Sequence, residues 1–229
     1  MRNIYKCFLL AFLLSQSFCL SAQEAPVQFG LKAGVDLYST SLNVSGTLDK
    51  KVKFGYQLGL TADFMLTEDQ FYLQTGAEYI TKGAVLKKEE AVTGGGMHEW
   101  SQTFNMEYIQ VPLMLAFKMD VSSDLKIYFH AGPYVAFGIG GKTTLQDKYK
   151  GLDRETEKSK QDTFGENKFK KLDYGFRFGS GIEFDKFIIG LDFEYAFANI
   201  NQDNNELGTI LNGKKYRNKG INLSLGYKF

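Results

Sequence analysis

Apolar and polar positions alternate with a period of two along most of this chain. The clearest run is Phe54-Gly55-Tyr56-Gln57-Leu58-Gly59-Leu60-Thr61-Ala62-Asp63-Phe64. It is apolar or aromatic at even positions and carries Gly, Gln, Thr or Asp at odd ones. Successive side chains of a strand point to opposite faces, so this segment has one greasy face and one polar face. Seven more segments read the same way, over 27–37, 71–82, 109–117, 125–137, 173–184, 187–197 and 221–229. Helical patterning is nearly absent.

Strands of about ten residues are long enough to cross a bilayer at a tilt. Pro112 and Pro133 fall inside two of them. Proline has no N–H to give to a ladder, and a closed sheet has no edge to hide the loss. A bulge or local distortion is therefore expected there, shared between the two neighbouring strands. The connections alternate in length. Those at 67–70, 119–124 and 185–186 are short and polar. Those at 39–51, 83–102, 141–172 and 199–219 are long and rich in Lys, Glu, Asp, Asn and Gly. In an up-and-down barrel every second connection lies at the same end, so one end carries tight turns and the other long loops. Outer-membrane barrels have that asymmetry, with turns in the periplasm and loops outside. It places both chain ends in the periplasm.

Alternation alone does not say which face points out. A soluble barrel keeps its apolar face inside and binds an apolar ligand there, whereas a membrane barrel inverts the arrangement. Three observations favour the membrane form. The polar face carries Lys32, Asp36, Asp63, Glu78, His130, Arg177, Glu183, Asp192 and Glu194 among glycines, a set able to fill the narrow interior of eight strands as a paired network. Aromatics gather towards both strand ends. Phe64, Phe71, Phe117, Phe184, Phe187 and Phe229 fall at the turn end, and Tyr38, Tyr56, Tyr79, Phe137, Tyr174 and Tyr195 at the loop end. The chain also closes on an alternating strand ending in Tyr227 and Phe229, which reads as an assembly signal for barrel-assembly machinery. The predicted fold class is all-β: an eight-stranded antiparallel up-and-down transmembrane barrel.

The first 22 of the 229 residues stand apart from this pattern. Arg2 and Lys6 precede an apolar run over Phe8 to Leu14, and Ser21-Ala22 supplies small residues before Gln23. That is a secretory signal peptide with cleavage expected after Ala22, leaving 23–229 as one barrel domain. Ser15, Gln16 and Ser17 interrupt the run too early for a spanning helix of about 20 residues. Cys19 raises the possibility of a lipoprotein signal, but Phe18 before it is too bulky. Both cysteines lie in the leader, so the mature chain has no disulfide. Charge is balanced at 27 basic against 26 acidic residues, and losing Arg2 and Lys6 with the leader leaves 25 against 26. No electrostatic footprint for nucleic acid remains.

Little in the chain suggests chemistry. His130 is read as a member of the interior network rather than an acid, base or ligand. His98 lies near Trp100 with no second histidine at metal-ligand spacing. No nucleophile motif stands out, so the expectation is no enzyme, no metal and no cofactor. The segments 94–96 and 138–141 are glycine-rich without a following helix and read as hinges, not phosphate loops. The mixed-sign stretch 148–171 reads as a solvated outer loop.

With the strands placed, the chain resembles the PorT-like outer-membrane β-barrels, also called porin-family proteins. The likeness rests on Phe29-Gly30-Leu31-Lys32-Ala33-Gly34, Gly55-Tyr56-Gln57-Leu58-Gly59, Tyr108-Ile109-Gln110-Val111-Pro112-Leu113, Gly132-Pro133-Tyr134, Asp173-Tyr174-Gly175-Phe176 and Leu225-Gly226-Tyr227-Lys228-Phe229. It implies fold and outer-membrane location more than activity, and brings no catalytic residues. Some relatives of this kind belong to secretion machinery. The function expected is a scaffold or interaction protein acting through its long outer loops, in contact with outer-membrane lipid and an extracellular or secretion-system protein. Alternatives are a narrow pore or secretion accessory, and then a barrel enzyme or a soluble apolar-ligand barrel.

Overall fold

The structure is a computed structural model that describes residues 27–42, 48–67, 70–92, 96–150, 156–208 and 211–229. The leader expected over 1–22, with Cys7 and Cys19, and Gly94-Gly95 lie outside the described residues. Eleven strands follow one another: β1 (Val27–Thr40), β2 (Asp49–Lys51), β3 (Lys53–Thr67), β4 (Phe71–Val92), β5 (Gly96–Asp120), β6 (Leu125–Gly140), β7 (Lys142–Lys150), β8 (Glu157–Asp162), β9 (Leu172–Phe184), β10 (Phe187–Ala196) and β11 (Asn218–Lys228). All named pairings are antiparallel. They run β4-β3-β1-β11-β10-β9-β6-β5 and return through β5–β4, so eight strands pair in a closed cycle. These eight cover the eight segments of period-two alternation. The short strands β2, β7 and β8 hang from the far ends of β4 and β5.

Burial inverts the order of a soluble protein. Phe29, Leu58, Phe187 and Leu225 are exposed, while Asp36, Glu78, Asp192 and Arg177 are buried. Exposed apolar positions on this scale, arranged on one face of every ring strand, are stable only against lipid. On β5 the outward run goes from Ile109 to Met119. Ten rises of about 3.3 Å span about 33 Å, and a tilt of about 40° reduces that to about 25 Å, the height of the apolar band of such barrels. The turn end is tight. Asp185 takes a φ of 49° in the two-residue β9–β10 turn, and its N–H donates to Asp124 O at 2.8 Å in the neighbouring turn. The N–H of Phe229 donates to Phe29 O at 2.9 Å, so the last residue is tied to β1.

The structure answers three sequence expectations. First, the segment 83–102 is not a loop but the continuation of β4 and β5 into a long hairpin, and 141–172 contains β7 and β8. Polarity reverses at the barrel rim. Outward residues of β5 change from Ile109 and Val111 to Glu107, Asn105, Thr103 and Ser101. Inward ones change from Gln110 to Tyr108, Met106 and Phe104. Within lipid the apolar side must face out; above it, the same parity must face in.

Second, the distortion expected at the two prolines is present and shared by their strands, as a gap in pairing rather than a bulge. The β4–β5 ladder lapses between Thr75↔Leu113 and Glu78↔Gln110, and the β5–β6 ladder between Pro112↔Tyr134 and Leu115↔Ala131, with no shift of register in either. Thr75 Oγ1 donates to Pro112 O at 2.7 Å inside this gap. At Gly132 a Cβ would stand 2.0 Å from Leu113 O, so only glycine lets the strands approach here. Third, Gly138 and Gly140 are part of β6, not a hinge; a Cβ on Gly138 would collide with the Phe164 ring.

The reversed polarity builds a second core on the loop side. Phe104, Tyr108, Ile80, Ala84 and Leu86 on the β4–β5 hairpin pack with Leu42 of the β1–β2 connection, Phe169 before β9, and Ile200, Leu207, Leu211 and Tyr216 between β10 and β11. Phe104 makes edge contacts with Phe169 at 5.3 Å and Tyr216 at 5.6 Å, and Phe169 meets Tyr216 at 4.7 Å. The connections expected to be solvated loops are in large part a folded cap over the barrel mouth. Tyr38, expected in the outer aromatic girdle, belongs instead at the base of this cap. It shares the inward parity of Asp36 and is fully buried.

Candidate functional site

The ring strands aim their polar positions into the lumen, and these join into one network. Each of five cations bridges two carboxylates. Lys118 lies 2.8 Å from Asp63 and 3.1 Å from Glu183, and Lys228 lies 3.0 and 2.6 Å from the same pair. This square of charges sits towards the turn end. Higher up, Lys32 reaches Glu78 at 3.1 Å and Asp192 at 3.4 Å. Arg177 donates both Nη groups to Glu78, at 3.0 and 2.8 Å, and Nε and Nη2 to Glu194, at 3.2 and 3.0 Å. Lys82 pairs with Glu194 and, at 3.4 Å, with Asp173. His130 links the two levels. Its Nε2 is 2.5 Å from Asp192 Oδ1 and its Nδ1 is 2.7 Å from Gln74 Oε1, while Gln74 donates to Asp63 at 3.1 Å.

All nine residues picked out by parity are thus in the lumen. Asp36 enters through the amide of Asn222, at 2.7 Å, rather than through an ion pair. Sequence reasoning left Lys82, Lys118, Asp173 and Lys228 off the site, although their parity matches that of their inward neighbours. It also missed Tyr38, whose hydroxyl donates to Glu194 at 2.9 Å, and Gln110, which donates to the same carboxylate at 2.8 Å. Tyr227 and Phe229 face outward, with Tyr227 5.3 Å from Phe187 and 6.0 Å from Phe229, centre to centre.

A cavity of about 60 Å³ lies between the charge square and Arg177, lined by Lys32, Asp63, Gln74, Glu78, His130 and Tyr128 among others. That is room for a few waters. Above it Lys82 sits 4.2 Å over the Tyr134 ring and within 6 Å of the Tyr38 and Tyr108 rings, all of them buried. The cap closes over these. Buried charge is costly unless it is paired and hydrogen-bonded, so the doubled pairing is what lets these ions stay in so narrow a space. His130 has acceptors at both ring nitrogens, the geometry of a structural link. His98 lies on β5, stacked on Tyr149 at 4.5 Å with Nε2 2.9 Å from Asp147. Among the described residues no group of three or more His, Cys, Asp or Glu is placed to hold a metal ion.

A protein family described as "Outer membrane protein beta-barrel domain" matches residues 15–202. Among curated proteins none matches the chain. Several solved structures are similar. The attachment invasion locus protein Ail of Yersinia pestis has 12% identity, with 89% of this chain and 99% of that one covered, at a TM-score of 0.36. Neisserial surface protein A has 12% identity over 89% and 99%, at 0.38. OprG from Pseudomonas aeruginosa has 14% identity over 90% and 97%, at 0.40.

Proposed function

We propose, from the premise that the chain belongs to the outer membrane protein β-barrel domain family, that it is a non-conducting barrel whose working part is the folded cap. Its place is the outer membrane of a Gram-negative bacterium. The observation that carries the reading is the occupied lumen: Lys82, Tyr38, Tyr108 and Tyr134 are buried under the cap, above two sets of ion pairs that His130 and Gln74 join. An eight-stranded ring has room inside only for side chains, and here each of five lumen cations is paired with two carboxylates. The same observation favours an anchored scaffold over a narrow pore. In this reading the turn end faces the periplasm and the cap faces outward, where a rigid surface can engage another protein. The order of the six sequence motifs supports placing the chain with the PorT-like barrels.

Planar-bilayer recording tests the scaffold reading. Purified protein should give no stable unitary conductance at 100 mV in about 1 M salt, where water-filled porins conduct readily. Regular current steps would overturn the proposal in favour of a pore.

The leader and the last strand complete the proposal. Protein isolated from outer membranes should begin at Gln23 by N-terminal sequencing. A chain ending at Lys228, lacking the Phe229 ring and its N–H bond to Phe29, should lose most of the fast-migrating unboiled band that marks folded barrels on gels. An intact leader, or full folding without Phe229, would remove that part of the reading.

A further inference from the structure

The outward face of β11 runs Phe229, Tyr227, Leu225, Leu223 and Ile221, all exposed and apolar, and then changes abruptly to Lys219 and Arg217. Ten rises separate Phe229 from Lys219, about 25 Å along the membrane normal at the usual tilt, so Lys219 marks the upper edge of the apolar band. Register confirms the depth. Lys219 stands opposite Tyr195 of β10, an exposed tyrosine at the height where tyrosines meet head groups. The ladder continues past it, with Ser41 N–H donating to Arg217 O at 3.0 Å.

Lys170 and Lys171 reach the same height just before β9. Leu172 pairs with Phe137 across β6, and Lys171 Nζ lies 5.8 Å from the centre of the lipid-facing Phe137 ring. The N–H of Lys170 donates to Ile200 O at 2.8 Å, which fixes this segment beside the β10 end. With adjacent strands about 4.8 Å apart, the β9 and β11 cations are about 10 Å apart along the rim. The exposed and half-buried ion pairs given for the described residues outside the lumen lie elsewhere, at Lys87–Glu99, Lys88–Glu90, His98–Asp147, Lys126–Asp120 and Lys142–Asp162. No described carboxylate pairs with the four rim cations, and the buried Arg217 Nε has no hydrogen-bond partner. The turn end has the opposite balance, with Asp120, Asp124 and Asp185 against Lys126 and Lys186.

We propose that the β9–β11 rim binds the phosphorylated head group of an outer-leaflet lipid through Lys170, Lys171, Arg217 and Lys219. Cations placed next to lipid-facing Phe137, Tyr195 and Phe197 meet the phosphates and the acyl chains of one molecule together. A free anion would gain only the first of these contacts. The proposal rests on the reading that the cap end faces outward.

Native mass spectrometry of the folded mature chain tests it, with lipid A, phosphatidylcholine and inorganic phosphate as probes. Wild-type protein should retain lipid A, and K170Q/K171Q/R217Q/K219Q should retain at least about tenfold less. Replacement of the three lysines by arginine should retain it. Millimolar phosphate should leave it bound. Equal retention by the neutral variant, equal retention of phosphatidylcholine, loss in the arginine variant, or displacement by phosphate would each overturn the proposal. The variants touch no residue of the lumen network, and the unboiled gel band reports their folding. A separate arm checks orientation: S159C, on β8 of the cap side, should react with an impermeant maleimide in intact cells. Failure to label with lipid retention intact would sink the outward reading and, with it, the assignment to the outer leaflet.

Discussion

Arg177→Met is expected to destabilise the barrel by about 3–5 kcal/mol, the cost of leaving a buried ion pair with one member removed. Arg177 is fully buried and its guanidinium holds two carboxylates at once, Glu78 through a two-pronged contact and Glu194 through Nε and Nη2. A methionine of similar length would fill the space but leave two anions facing each other in a low-dielectric interior. Lys32 and Lys82 would each hold one of them, which limits the loss but does not cancel it. The temperature at which the unboiled gel band disappears, measured in lipid vesicles, reads the effect. Adding E78Q and E194Q to R177M should recover most of the lost stability, since the three changes act on one contact and are not additive. An unchanged midpoint in R177M would mean that water enters the lumen freely and screens the pair.

Phe104→Ala is expected to open the cap while leaving the barrel intact. Phe104 is fully buried, and its ring holds Phe169 and Tyr216, which come from two different connections. Truncating a buried phenylalanine costs about 3–5 kcal/mol, and 3 kcal/mol raises a local opening equilibrium by about 100-fold. Cleavage by trypsin after Lys170 or Arg217 in reconstituted protein should rise by that factor while the heat-shifted band persists. Trp100, the one tryptophan of the chain, packs against the same cluster and should shift its emission to the red. If cleavage stays slow and emission is unchanged, the cap is not held by this trio.

The ring strands were legible because lipid outside and charge inside impose one rule over each strand. Arg177 and Glu78 could be placed by counting from any neighbour. Lys118 obeys the same count, but three inward apolar or small residues before it, Pro112, Met114 and Ala116, hide the polar set. Above Tyr108 the rule inverts, so the alternation of β5 continues with its meaning changed, and Phe104 falls between the expected loop at 83–102 and the expected strand at 109–117. The cap was not legible at all. Phe104, Phe169 and Tyr216 are brought together by contacts across long stretches of chain, and no local pattern specifies them. The ladder gap at Pro112 and Pro133 was visible as a problem, but its solution through Thr75 and Gly132 was not.

The charge square at the turn end also bears on the order in which the molecule can be made. Lys118 is on β5, Asp63 on β3, Glu183 on β9 and Lys228 on β11, next to the last residue of the chain. Until β11 arrives, two carboxylates share a single ammonium, and β1 presents an unpaired edge in the place Lys228 should occupy. No partial barrel of seven strands satisfies both the backbone and these ions, so there is nothing stable to insert step by step. Closure of the ring therefore waits for the strand that carries Lys228. For that interval, an outward face of Phe, Leu and Tyr has to be kept from collapsing on itself in water.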